Sequence, residues 1–351
     1  MFTELRTFLI EKFLTQPESF LTKFSTHIRL IILKNQTLCW LYHRYFSNYP
    51  DQIQIELTNM CNLRCVMCPN KTMKRKKGLM NEQLYRKIID EIGGIKTKIP
   101  VFYTGFGEPL LDKNIIDKIH YAKKAGITTL GLVTNGAVNI SRELARELVV
   151  SGLKYIFIDV DADTPTTYSQ IRSGGNFENM VSNIELLIEE NSKNGFPVWI
   201  ILGYLLQEKN KHEFDLFTKR WKNIKNVSTY MKVTHSWAGE IPRILDAGVN
   251  IKTRYPCHAV WGSYFITLDG KIPLCCHDYE AEQTMGDAGK QNIFTIWNTV
   301  HRQARENMIK GDFSKIPLCQ HCVDWKMYEE TLYLKSKLLK KNALNLNGYE
   351  A

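Results

Sequence analysis

No stretch of this chain reaches the roughly 18 uninterrupted apolar residues that a membrane-spanning helix requires. The N-terminus carries no secretory signal pattern. Nine cysteines in 351 residues are too few, and too closely grouped, for a disulfide-stapled secreted fold. Together these deficits point to thiols that bind metal in a reducing cytoplasm. Acidic residues are in deficit too, 36 against 46 Lys and Arg, for a formal net charge of +10. Charge of that sign admits a nucleic-acid partner. The densest basic run, Lys71, Lys74, Arg75, Lys76 and Lys77, nevertheless has no aromatic residues interleaved with it. It reads as a solvated loop able to attract an anionic substrate or redox partner, and nucleic acid is not expected. The composition, 44% hydrophobic and 23% charged, is that of a globular chain long enough for a barrel with a full core.

The chain is organised around Cys61–Cys68, C-N-L-R-C-V-M-C, directly after the apolar run I-Q-I-E-L-T. Thiolates are soft ligands for zinc, copper(I) or iron–sulfur clusters. An iron–sulfur cube is ordinarily held by four cysteines. This loop supplies three, which leaves one iron open to a small molecule, as in catalytic metal sites. Half of a zinc knuckle, or chance clustering, is the competing reading. The C-x3-C-x2-C pattern after a first strand resembles the signature of the radical S-adenosylmethionine (SAM) enzymes. That resemblance implies that Cys61, Cys65 and Cys68 hold a [4Fe–4S] cluster whose open iron binds the amino and carboxylate groups of SAM. It also implies that an electron from the cluster cleaves SAM to a 5′-deoxyadenosyl radical. Met67 stands where the family often has an aromatic residue and could pack against adenine through its polarisable sulfur.

Residues 1–50 form an N-terminal extension in which segments 1–14 and 27–46 read as amphipathic helices broken near Pro17. Their mixture of basic and aromatic residues suits a peripheral membrane contact; packing on the barrel or on a second subunit is the commoner explanation. Cys39, isolated here, reads as a small buried apolar residue. From residue 53, β-rich runs at 53–58, 99–104, 128–134, 154–160, 197–206 and 227–235 alternate with helical stretches at 81–92, 112–125, 141–150, 177–194 and 210–222. The alternation predicts parallel βαβ units and right-handed crossovers. This is an α/β fold whose six repeats make an open barrel over residues 51–240, with its chemistry at the C-terminal strand ends. The resemblance implies the same architecture, a partial (β/α)6 barrel.

The strand ends hold further candidates. Within Y-T-G-F-G-E-P-L-L, Gly105 and Gly107 let backbone approach a ligand closely, and Glu108 could accept bonds from an ammonium. The stretch resembles the family's Gly-Gly-Glu-Pro motif, which holds the SAM amino group, with Phe106 in place of one glycine. V-T-N-G presents Thr134 and Asn135; by itself it is a capped turn, and the resemblance places both residues in the cofactor pocket. I-F-I-D-V-D-A-D-T-P-T-T-Y-S-Q-I-R resembles a stretch in which a Ser and an Arg contact SAM. The Arg matches Arg172, which could pair with the SAM carboxylate, although a surface salt bridge is its bland reading. Asp159 replaces the Ser and could accept from ribose hydroxyls or serve the substrate.

The last third carries Cys257, Cys275, Cys276, Cys319 and Cys322. Asp269-Gly270 predicts a tight hairpin between Y-F-I-T-L and K-I-P-L, and C-Q-H-C a clamp; by spacing alone these thiols suit zinc or an iron–sulfur cluster equally. The arrangement over residues 250–325 is similar to the SPASM/twitch domain. That implies one auxiliary [4Fe–4S] cluster on Cys257, Cys275, Cys319 and Cys322, the shorter twitch form, because no cysteine follows Cys322. Cys276 is then spare, although its adjacency to Cys275 leaves either of the two open as the ligand, and no spacing demands His258, His277 or His321. Residues 326–351 read as a basic helical tail.

The expected function is an oxidoreductase-type radical SAM enzyme that takes a hydrogen atom from a substrate carbon, with the auxiliary cluster accepting an electron or holding the substrate. Twitch relatives include an alcohol dehydrogenase acting on an aminoglycoside precursor; longer SPASM relatives modify peptides and proteins. The first 50 residues lack a strand-rich peptide-recognition pattern, which favours a small sugar-like or polyol substrate. A reducing partner such as flavodoxin or ferredoxin is expected. A non-catalytic zinc protein on nucleic acid is the reading from another class. It leaves the three-cysteine loop one ligand short and Gly107-Glu108 without a purpose.

Overall fold

A computed structural model describes residues 20–241, 251, 253–327 and 329–334. Segment 1–14 and Pro17 lie outside the described residues, as does the tail from 335 onward. The stretch 27–46 falls in two helices rather than one, α1 (Phe20–Lys34) and α2 (Gln36–Phe46). Asn35 separates them with extended backbone, and its side chain caps α2 by accepting from the Leu38 N–H at 3.0 Å.

Strands β1 (Ile53–Ile55), β2 (Val101–Tyr103), β3 (Leu130–Thr134), β4 (Tyr155–Asp159), β5 (Trp199–Leu206) and β6 (Val227–Val233) lie where the alternation places them. They are parallel and neighbour one another in chain order. Their near-continuous apolar character follows from burial on both faces. Between them run α3 (Glu82–Gly93), α4 (Ile115–Lys124), α5 (Arg142–Val150), α6 (Pro165–Ile171), α7 (Phe177–Lys193) and α8 (Phe214–Arg220). Side-chain caps from Asn81, Ser141, Thr164 and Asn176 fix four of these starts.

The expected hairpin at Asp269-Gly270 is only half realised. The turn forms, with the Gly270 N–H donating to the Thr267 carbonyl at 2.9 Å and Gly270 at φ +83°. Its arms, however, join different sheets. β7 (Tyr264–Ile266) adds to the outer edge of β1 in parallel, making a seventh strand, while β8 (Lys271–Pro273) pairs antiparallel with β9 (Thr284–Asp287). The edge of β1 would otherwise leave buried backbone groups unpaired, and the wholly buried Y-F-I segment satisfies them.

Helices α9 (Ala259–Gly262), α10 (Ile293–Asn298) and α11 (Val300–Ile309) follow in the C-terminal region. A second apolar core joins this region to the N-terminal helices: Leu30, Leu33 and Cys39 pack with Tyr255, Trp261, Leu274, Met308 and Cys319. Cys39 is fully buried there, and burial pushes its thiol up to about 12. None of the described helices is long and apolar enough to cross a membrane.

Candidate active site

The cysteine loop leaves β1 and returns beside it. Thr58 and Leu79 form an antiparallel bridge, and the Met80 N–H donates to the Leu57 carbonyl at 2.7 Å. Buried Asn59 closes the base, donating to Lys76 O (3.0 Å) and accepting from the Gly78 N–H (2.9 Å). Farther out, the N–H groups of Arg64 and Val66 donate to the carbonyls of Ser173 and Ile171 at 2.8 and 3.0 Å. The basic run is therefore not simply a solvated loop. Lys74 and Lys76 are exposed, but Arg75 donates to both oxygens of Glu56 (2.7 and 2.9 Å) and to the Tyr279 carbonyl (2.6 Å). Glu56 is fully buried on β1's extension, and a buried carboxylate requires such a partner.

Within this loop Cys65 is buried and Cys61 and Cys68 are half-buried. Donors point at the sulfurs: the Leu63 N–H (3.4 Å) and Asn135 Nδ2 (3.7 Å) at Cys61, and Arg172 Nη1 (3.6 Å) at Cys65. Burial pushes all three thiols upward, Cys68 to about 11, and Arg172 opposes this at Cys65. A bound cation reverses that balance and takes the thiolates. Among the described residues no three cysteine sulfurs lie within 4.8 Å of one another.

The strand-end residues gather around the loop. Gly107 has no room for a side chain, since a Cβ would lie 2.3 Å from the Thr58 carbonyl oxygen; at Gly105 it would meet the Glu56 Cγ at 2.8 Å. Glu108 is buried and accepts from Thr134 Oγ1 (2.7 Å), the Asn135 N–H (2.7 Å) and the Leu110 N–H (3.0 Å). Burial pushes its carboxyl up to about 7 against those donors. Thr134 and Asn135 thus fix the Gly107-Glu108 turn, and Asn135 reaches on to Asn62 (2.9 Å) and Cys61. Met67 is buried among Leu63, Cys65 and Ile171.

Arg172 is no surface ion pair. It is buried, 2.5 Å from Asp161 and 3.7 Å from Asp159, while its Nε is buried without a hydrogen-bond partner. Lys232 on β6, which the sequence reading did not single out, pairs with Asp159 at 2.7 Å. Burial works against ionisation of Asp159, yet Lys232 and Arg172 outweigh it and hold that carboxyl below its usual range. The only signal for Lys232 was a lone cation on the face of β6 opposite the buried Met231 and Val233.

In the C-terminal region Cys257 lies within electrostatic reach of Cys322 and Cys319, and Cys275 within reach of Cys319 and Cys257. Burial pushes Cys319 up to about 12. Cys276, within reach of both Cys275 and His277, also packs against Met73, Phe106 and Phe265. His277 contributes more than spacing indicated: its Nδ1 lies 3.0 Å from Asp324, and ligand-type atoms of His235, His277 and Asp324 fall within 4.8 Å of one another. Asp324 also accepts from the N–H groups of Ser236 (2.7 Å) and Ala238 (3.2 Å), so its carboxylate clamps the end of β6 to the cysteine turn. His277 and Asp324 each follow a cysteine of the set by two residues, the one regularity that could have drawn attention to them. His258 turns away to Arg29 and Asp51.

Residues 55–217 match the radical SAM superfamily, and residues 257–323 match the SPASM iron–sulfur cluster-binding domain. The chain is a radical SAM protein with a C-terminal SPASM domain. Its radical SAM domain implies SAM and a [4Fe–4S] cluster, and its SPASM domain implies auxiliary iron–sulfur chemistry. The tungsten-containing aldehyde ferredoxin oxidoreductase cofactor-modifying protein of Pyrococcus furiosus is 30% identical over 35% of this chain and 33% of that protein. A probable GTP 3′,8-cyclase of Methanococcus maripaludis is 32% identical over 41% and 48%. The chain thus spans a third to a half of the length of these curated relatives. The S-adenosyl-L-methionine-dependent 2-deoxy-scyllo-inosamine dehydrogenase of Niallia circulans is 22% identical over 81% of the chain and 96% of that protein. The crystal structure of BtrN in complex with AdoMet and 2-DOIA shares the fold, with TM-score 0.55 and 18% identity over 78% and 93% of the two chains.

Proposed function

We infer that this radical SAM enzyme oxidises a small sugar-like or polyol substrate, converting a carbinol carbon to a carbonyl. The observation that carries this reading is the second cysteine set, in which Cys257, Cys275, Cys319 and Cys322 lie within electrostatic reach of one another, while Cys276, next to Cys275, also packs against an aromatic cluster. Four cysteines would leave no iron open to substrate while permitting one-electron exchange. That is what completing a two-electron oxidation needs after hydrogen-atom loss. The match to a dehydrogenase over nearly its whole length supports the same reaction class.

In this reading Cys61, Cys65 and Cys68 hold the SAM-binding cluster, and Gly105, Gly107, Glu108, Thr134 and Asn135 shape the side that receives the SAM amino group. Arg172, with its unsatisfied Nε, would pair with the carboxylate, and Met67 and Asp159 would border the nucleoside. When bound, the first cluster and SAM supply the hydrogen-abstracting radical and the second cluster supplies the electron acceptor. Asp159, held ionised by Lys232, presents an acceptor to hydroxyl groups. A reducing partner such as flavodoxin or ferredoxin provides the initiating electron. The test replaces Cys319→Ala and Cys322→Ala together and quantifies 5′-deoxyadenosine and oxidised product from a pool of polyols and amino sugars. SAM cleavage should persist and oxidised product vanish, with circular dichroism confirming the fold. Full product yield from a variant shown to lack the second cluster overturns the reading.

A further inference from the structure

Helices α1 and α2 have two apolar faces, and among the described residues one of them enters the core. Leu30, Leu33 and Cys39 enter the second core. Ile28 and Ile31 repeat at three residues on α1, and Leu38, Leu41 and Tyr45 at three and four on α2, the spacing of a single helix face in each case. Ile31 is 59% exposed and Tyr45 63%, and Trp40 beside the stripe is 49% exposed. Seven of the fourteen large hydrophobic side chains exposed on the described surface fall between residues 28 and 46. Scattered exposed apolar residues are ordinary, but this concentration marks a contact surface.

Charge decides the occupant. No Asp or Glu occurs between Ser19 and Pro50; Arg29 and Lys34 are paired with Asp51 (3.2 Å) and Glu329 (2.9 Å) of the body of the fold, and Arg44 is the cation beside the stripe. Arg44 lies over the Tyr45 ring at 5.9 Å, at the edge of the stripe. A two-fold dimer through this face would set Arg44 against a stripe in which α1 and α2 offer no acidic partner. An anionic lipid surface complements it, and aromatic residues beside basic ones are the composition of interfacial helices. We propose that the outward face of α1 and α2 docks on the headgroup region of an anionic bilayer, with Trp40, Leu41 and Tyr45 inserted and Arg44 at the phosphates. The helices lie on the membrane and do not cross it.

The test uses the full-length, anaerobically reconstituted enzyme and co-sedimentation with vesicles of phosphatidylcholine alone or mixed with phosphatidylglycerol. The enzyme should pellet with the mixed vesicles, less with phosphatidylcholine alone, and less again as salt rises. Leu41→Ser with Tyr45→Ser should lower the partition coefficient about tenfold or more, while iron content and SAM cleavage stay unchanged. No pelleting with anionic vesicles, or equal pelleting of the variant, overturns the proposal. So does a concentration-dependent dimer in sedimentation velocity that the variant abolishes while vesicle binding is nil.

Discussion

Replacing Arg75 with Ala is a sharp probe of how the cysteine loop is held. In the native protein the guanidinium donates to Glu56 at 2.7 and 2.9 Å and to the Tyr279 carbonyl at 2.6 Å. After Arg75→Ala, Glu56 keeps only the N–H groups of Phe106 and Leu268, both at 3.2 Å. At a solvated surface the loss would be below about 1 kcal/mol. Glu56 has no exposed surface, so an uncompensated charge remains inside and the expected cost is about 3–5 kcal/mol. That is a large share of the 5–15 kcal/mol by which domains are ordinarily stable. Anaerobic urea unfolding measures it, with midpoint and slope fitted separately and read where fluorescence and cluster absorbance change together. Lys76→Ala, on the exposed side of the same run, should stay within about 0.5 kcal/mol. Glu56→Leu with Arg75→Leu should recover much of the loss, because the penalty lies in the orphaned charge. A cost below about 1 kcal/mol for Arg75→Ala would show that the pair is solvent-screened and that the run is, after all, a solvated loop.

Two further outcomes follow from the site and its support. Cys61→Ala, Cys65→Ala and Cys68→Ala together should remove about half of the iron if each cysteine set holds one cluster; unchanged iron content refutes the two-site assignment. Burial lowers His43 to about 4 and His301 to about 3 from an ordinary value of 6.5, so their stabilisation is complete above about pH 6.5 and is lost as pH falls toward those values. At about pH 5 each should cost about 2 kcal/mol, and a profile whose slope survives His43→Asn with His301→Asn contradicts the assignment.

The parts of the fold legible in the sequence are those set by local pattern. Apolar runs mark all six chain-ordered strands because both faces of a parallel sheet are buried. Asn and Ser before the apolar helical repeats mark helix starts because they cap orphan N–H groups. The site was legible where chemistry is contiguous, at Cys61–Cys68 and Gly105–Glu108. What escaped notice depends on distant partners. Arg75 looks like its lysine neighbours until Glu56 and Tyr279, the latter 204 residues away, come to meet it. Lys232 acquires its role from Asp159, 73 residues earlier. The Asp269-Gly270 turn was legible, but its arms separate because β1 has a free edge, which only the assembled sheet reveals.

These long-range contacts connect the two cysteine sets. The Met67 carbonyl, within the first set, accepts from Trp237 Nε1 at 2.8 Å. The Trp237 ring meets His277 edge-on at 6.0 Å, and His277 binds Asp324 two residues beyond Cys322. On the other side Arg75, just past Cys68, reaches Tyr279, just past Cys275 and Cys276. Each cysteine loop is therefore braced against the other through β1 and the end of β6, by hydrogen bonds, an ion pair and a ring contact, partly or wholly buried. Substitutions in such a shared network do not add independently. A change at Trp237 that disturbs one site should disturb the other, so loss of activity there is interpretable only when the iron of both sites is measured with it.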